Sequence, residues 1–263
     1  MHHHLDIYAY TNGLRHLHPK QKLIFAIASL LFTFFAHPLV QSLLWLWLSL
    51  WILGYARIPW RVYFTLLATV AVFWLVSLPG LVVQIIPTET LRASGQVVLS
   101  DISLMGWSLF ISAEKLHQGL TVGLRTIVAS TCLLLILLTT PFPALLAVAE
   151  RWGVPAFVLD VLMLMYRYIF TLLETAFTLQ LAQRARGGYQ RRSRWLFSVS
   201  LLAAQLLQQS LHRYQAIQLA LVSRGFQGPF RVLRPCTYTY SQRYGLEVLI
   251  GGSALLLLNT VMV

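Results

Sequence analysis

The chain reads as an all-α, polytopic membrane protein with about five transmembrane helices, and three observations say so. Of its 263 residues, 57% are hydrophobic and only 11% are charged, with a mean hydropathy of +0.68; a soluble domain carries roughly 25% charged residues. Several apolar runs approach the ~20 residues that cross a hydrocarbon core about 30 Å thick. The charge is lopsided as well, with 20 Lys and Arg against 8 Asp and Glu. In a soluble protein a pI of 10.2 would suggest nucleic acid. In a membrane protein the same excess marks cytoplasmic loops, because translocating Lys and Arg is disfavoured, and no nucleic-acid partner is expected.

Five spans are expected, at Leu23–Ala36, Leu39–Gly54, Val62–Ile86, Leu116–Leu138 and Leu246–Val263. The first 22 residues are polar and basic and no small-x-small cleavage site follows the first run, so that run is expected to stay as an anchor. The first two runs are short, about 21 and 24 Å as helices, and His37-Pro38 separates them. Read as a hairpin, they return Arg57 and Arg61 to the side of Arg15, Lys20 and Lys22. Read as one broken crossing, they would split these charges, so the hairpin is preferred. Trp45, Trp47, Trp51 and Trp60 are then available as interfacial anchors. Pro79-Gly80 is expected to kink the third span.

With the N-terminus cytoplasmic, the loop Pro87–Lys115 is outside; it holds Glu89, Asp101 and Glu114 against Arg92 and Lys115. The fourth span returns at Thr139, everything to Gly245 is cytoplasmic, and the last span ends outside. This arrangement puts 17 of the 20 basic residues inside.

Between Pro141 and Pro235 the apolar runs are repeatedly interrupted. A short helix is expected over Ala144–Trp152, a long one from about Ala156 to Arg186, stopped by Gly187-Gly188, and another from about Ser193 to Arg224, stopped by Gly225. Asp160, Arg167 and Glu174 form one stripe on the first long helix, read as a packing network. Gln205, Gln208, Gln209, His212, Arg213, Gln215 and Gln218 interrupt the leucines of the second. Both long helices are therefore expected to be amphipathic and to lie at the cytoplasmic membrane face. The expected organisation is a four-span bundle over 1–139, cytoplasmic-face helices over 140–235 and a last transmembrane helix over 236–263.

Little in the chain points to catalysis. Cys132 and Cys236 lack partners at metal-ligand spacing, and no G-x-x-x-x-G-K-[ST], H-E-x-x-H or G-x-S-x-G occurs. Neither cofactor nor metal site is expected. His2-His3-His4 offers imidazoles suited to Co²⁺ or Ni²⁺, but chain termini are commonly loose, and the topology puts these residues where imported metal would leave. Arg125 and His117 lie within the fourth span and form a possible intramembrane polar site; the alternative for Arg125 is a structural arginine satisfied by carbonyls or a carboxylate.

The most informative feature is a repeated helix ending. Ala185-Arg186-Gly187 closes one long helix and Ser223-Arg224-Gly225 closes the next. Glycine after the last turn and arginine within it are ordinary capping chemistry. Two such ends on consecutive basic helices also make rigid guanidinium plugs for acidic grooves.

Together with Tyr166-Arg167-Tyr168, Phe226 and Gly228, this pattern resembles the T component of energy-coupling factor transporters. The opening Asp6, Ala9, Asn12, Leu14, Pro19 and Lys22 resembles its CbiQ-type branch, which serves cobalt or nickel uptake. The similarity runs from about Leu5 to Phe230. Ser223 stands where the first motif has Ala, a small-for-small change. The resemblance implies a non-catalytic plasma-membrane subunit whose long helices couple two cytosolic ATP-binding-cassette ATPases to a separate substrate-binding membrane subunit. It also implies docking roles for Arg186 and Arg224, with Ala185, Gly187, Ser223 and Gly225 shaping the helix ends. Cobalt is the implied ion, with nickel next. A self-contained permease and an intramembrane enzyme are the competing classes; the chain has no paired broken helices of the usual transporter kind.

Overall fold

The computed structural model describes residues 3–87, 98–104, 107–225 and 238–262. The chain divides into two compact units, one of Met1–Leu145 with Pro235–Val263 and one of Leu146–Arg234.

In the first unit a short helix α1 (His3–Thr11) precedes α2 (Pro19–Phe35) and α3 (Pro38–Leu50), which continues through a single π-helical turn at Trp51–Tyr55. Proline starts both α2 and α3, where its missing N–H costs nothing. The break between them is stabilised by Gln41, whose buried amide donates to the carbonyls of Thr33 (3.0 Å) and Ala36 (2.9 Å). The two runs are thus separate helices, as the hairpin reading requires.

Next come α4 (Trp60–Val82) and α5 (Ala113–Thr139), and the unit closes with α9 (Gln242–Met262). Tyr63, at the start of α4, is fully buried, its hydroxyl 2.7 Å from Ser49 Oγ on α3. Helices α4 and α5 are antiparallel: Trp74 lies against Gly123 and donates its indole N–H to Gly119 (3.2 Å), while Val82 lies against Gly119. Gly119 and Gly123 are one turn apart and let the indole approach the α5 backbone, the packing that small residues permit between membrane helices.

Helix α9 runs in the same direction as α2. Near its start Thr239 exchanges backbone hydrogen bonds with His16 (2.9 Å) and His18 (3.1 Å), and Gln21 donates to the Ser241 carbonyl (3.2 Å). Near its end Asn259 accepts from the His37 backbone N–H at 2.9 Å.

Three expectations are revised. Helix α4 passes through Pro79 but ends at Val82, short of Ile86; Val83–Pro87 is instead a strand. It pairs antiparallel with Trp107–Ser112, which also pairs antiparallel with Val98–Leu104 and so forms the middle strand of three. Val and Ile favour this conformation, and the expected outer loop therefore contains a small sheet. Its Glu89 and Arg92 lie outside the described residues.

Trp51 is not an interfacial anchor. It is 3% exposed and packs among Phe25, Tyr55 and Tyr244, with centroids 4.8 to 5.8 Å apart. Trp60 is exposed, as an anchor would be. The buried core joins these rings to Leu44, Leu48, Val128, Leu135 and Leu138.

The five helices long and apolar enough to cross a membrane also differ by one from the expected set. They are α3 with its π turn, α4, α5, α9 and Ala156–Ala185. Between Val161 and Thr178 only Arg167 and Glu174 are charged, so the seven-residue spacing of the charges leaves a long apolar stretch. Helix α2, at 17 residues, falls just short, yet it is tied at both ends to the membrane-length α9.

The second unit contains the two longest helices, α7 (Ala156–Ala185) and α8 (Arg192–Ser223), joined by a tight turn; α6 (Phe142–Arg151) leads into it. No residue of α7 is buried. Phe157, Phe177, Leu181, Leu207, Leu219 and Val222 are all exposed.

Candidate functional site: two arginine-glycine helix ends

Both Arg-Gly sites end helices, and the two ends share one geometry. Arg186 is the C-cap of α7, with φ −86° and ψ 9°; Arg224 is the C-cap of α8, with φ −89° and ψ 6°. The following glycines take positive φ, +72° at Gly187 and +65° at Gly225, a conformation that side chains with a Cβ rarely adopt.

At the first end Gly187 N–H donates to the Arg184 carbonyl and Gly188 N–H to the Gln183 carbonyl, both at 3.0 Å. That pair of bonds is a Schellman motif. At the second end Gly225 N–H donates to the Val222 carbonyl at 3.0 Å, the equivalent bond. Ser223 Oγ turns back onto the Leu219 carbonyl. Ala185, Arg186, Ser223, Arg224 and Gly225 are exposed and Gly187 is half-buried. Phe226 and Gly228 lie outside the described residues.

The turn after Arg186 is fastened to the next helix. Ser198 Oγ donates to the Gly188 carbonyl at 2.9 Å, and Tyr189 donates to Gln183 Oε1 at 2.8 Å. The Arg184 guanidinium lies 6.0 Å from the Tyr189 ring centre. Gly188 is confined: a Cβ there would sit 2.6 Å from Ser198 Oγ. None of this was readable from the sequence, although Gly187-Gly188 followed by a serine near the next helix start was a hint of close approach.

Arg186 and Arg224 stand at opposite ends of α8. Its 32 residues measure about 48 Å at 1.5 Å per residue. The two guanidiniums therefore suit two separate binding partners or two separate sites.

Arg125 and His117 are not brought together. Eight residues apart on α5, they are separated by about 12 Å along the axis. His117 is exposed, whereas Arg125 is half-buried with its Nε lacking a hydrogen-bond partner among the described residues. In the Asp160, Arg167, Glu174 stripe, Arg167 and Glu174 are exposed and Asp160 is half-buried. Among the described residues no group of three His, Cys, Asp or Glu is placed to hold a metal ion. His2 lies outside the described residues, as does Cys236, and Cys132 is a buried free thiol.

Comparison with known proteins adds the family. Residues 11–234 match the model of the CbiQ family, cobalt transport proteins. The cobalt transport protein CbiQ of Rhodobacter capsulatus is 42% identical over 95 residues, which cover 36% of this chain and 39% of that one. CbiQ of Salmonella typhimurium is 25% identical over 231 residues, 87% of this chain and 99% of that one. The energy-coupling factor transporter transmembrane protein EcfT of Streptococcus equi is 25% identical over 236 residues, covering 85% and 83%.

Proposed function

Since the chain belongs to the CbiQ family of cobalt transport proteins, we propose that it is the membrane-embedded coupling subunit of an ATP-driven, energy-coupling factor type importer. Arg186 and Arg224 dock into acidic grooves of two cytosolic ATP-binding-cassette ATPases. Helices α7 and α8 carry the ATPase motion to a separate substrate-binding membrane subunit, with cobalt as the ion and nickel next. The chain itself is non-catalytic. Residues 1–139 and 236–263 form its bilayer-spanning part, and 140–235 its coupling region at the cytoplasmic face.

One observation carries this reading: the same solvent-exposed Arg-Gly helix end occurs twice, at the two ends of one helix about 48 Å long. Capping accounts for each end singly. It fixes the shared backbone angles but gives no reason for an exposed arginine to occupy the C-cap of both helices. The uncovered apolar residues of α7 and α8 agree with a surface that lipid or a partner covers.

Parity supports this topology. Helix α9 starts beside the start of α2, so the chain between α5 and α9 makes an even number of crossings. If α7 crossed alone, α9 would begin on the wrong side, and Arg184, Arg186, Arg191, Arg192 and Arg194 would lie with the acidic outer loop. We therefore keep α7 at the inner face, with the N-terminus cytoplasmic.

Reconstituted vesicles test the function. Cobalt uptake should require this chain, the ATPases, a substrate-binding subunit and ATP together. Uptake by the chain alone would make it a permease and sink the coupling role.

A further inference from the structure

Beside Arg186 the corner between α7 and α8 opens into a cleft of about 540 Å³. Arg186 and Arg194 line it, no Asp or Glu does, and Leu179, Phe197 and Leu201 give it an apolar wall. Gln183 also lines the cleft; its Oε1 is held by Tyr189, and its Nε2 is buried with no hydrogen-bond partner among the described residues. Two cations and an unused amide donor against an apolar wall ask for an anion carried on an apolar segment. A buried donor left unpaired is costly, and a carboxylate would accept from it and from both guanidiniums. The bond from Ser198 to Gly188 ties the two helices together at this cleft.

We propose that this cleft is a socket for a carboxylate side chain on an apolar segment of one ATPase, with Arg194 and Gln183 binding it alongside Arg186. The proposal rests on the docking role of Arg186 and adds two residues to it. Arg194 reaches the cleft from α8, the helix that leads on to Arg224. One partner carboxylate would thus be gripped by both helices at their junction, and movement of that ATPase would reach α7 and α8 together.

The test is the affinity of the ATPases for the full chain in nanodiscs, measured in the native chain and with Arg224→Ala to remove the second anchor. Arg194→Ala should weaken binding roughly ten-fold or more, equivalent to about 1.4 kcal/mol, and make the remaining affinity less sensitive to added salt. Gln183→Leu should weaken it in the same direction, and Arg194→Lys should recover part of the loss. Arg191→Ala, a charge on the same turn outside the cleft, should change nothing. If Arg194→Ala behaves like Arg191→Ala, the socket does not exist. If Arg194→Ala instead removes a preference for phosphatidylglycerol and spares ATPase binding, the cleft holds a lipid phosphate and the proposal is overturned. Loss of ATPases in Arg186→Ala/Arg224→Ala with full retention in Arg194→Ala would reject the socket alone. Retention in both would reject the docking role itself.

Discussion

Lys22 places its ammonium 2.8 Å from the carbonyl oxygen of Thr139, the last residue of α5, and is itself only 6% exposed. Asn12 Nδ2 reaches the same carbonyl at 3.2 Å and that of Leu138 at 3.3 Å. The final carbonyls of a helix have no partner within it and carry its negative pole. A buried cation and a buried amide here satisfy both demands. The N-terminal segment is therefore a cap for a helix more than a hundred residues away.

Lys22→Met should accordingly destabilise the protein by about 1.5–3 kcal/mol, the contribution of a hydrogen bond from a charged donor, with Asn12 left as the sole donor to the Thr139 carbonyl among the described residues. Lys20→Met, at an exposed position two residues earlier, should be close to neutral. Thermal unfolding in detergent compares the two; equal melting temperatures would remove the capping role.

Gly251 and Gly252 are adjacent on α9 and should respond in opposite directions to alanine. A Cβ on Gly251 would overlap the Trp47 ring, whereas one on Gly252 meets nothing within 4 Å. Overpacking typically costs about 1–3 kcal/mol, and an unobstructed Gly→Ala in a helix gains up to about 1 kcal/mol. Trp47→Leu should relieve the first substitution. The same detergent melts read out the pair, and a stable Gly251→Ala would show that α3 and α9 are not in close contact.

Reporter fusions check the parity of crossings. A reporter inserted near Gly188 should be cytoplasmic and one fused after Val263 extracytoplasmic. Both on one side would mean that α7 crosses the membrane or α9 does not.

Spans and helix ends were legible because each depends on local pattern. Proline and glycine mark the starts of α2 and α3 and the ends of α7 and α8 in the sequence itself. Asn12 and Lys22 could be recognised as family-like, but their partner at Thr139 is a long-range contact that no local pattern encodes. Trp51 was misjudged for the same reason: an aromatic at a span end looks like an anchor until Phe25 and Tyr244 are found against it. The small sheet was missed because Val83–Ile86, interrupted only by Gln84, prolongs the apolar run of α4, and only its pairing to Ser108–Ile111 distinguishes strand from helix. The Ser198–Gly188 bond likewise required the two helices to be seen meeting.

Arg186 and Arg224 decide the central reading. If each guanidinium fills an acidic groove, removing it leaves a partner carboxylate unpaired at a cost of about 2–5 kcal/mol. Two anchors hold one assembly, so Arg186→Ala or Arg224→Ala alone should retain part of the ATPase binding, and the double substitution should lose it, because avidity disappears with the second contact. Lysine at both positions should rescue poorly, since it keeps the charge without the planar two-pronged donor. Capping alone makes different demands. Each arginine would then contribute only about 0.3–1 kcal/mol to its helix, lysine would substitute well, and the positive-φ glycines that follow would matter more than the arginines. ATPase pull-down and ATP-driven cobalt uptake should therefore be compared for the single alanine, double alanine and double lysine proteins. A double alanine protein that holds both ATPases and transports normally would reduce these arginines to helix caps.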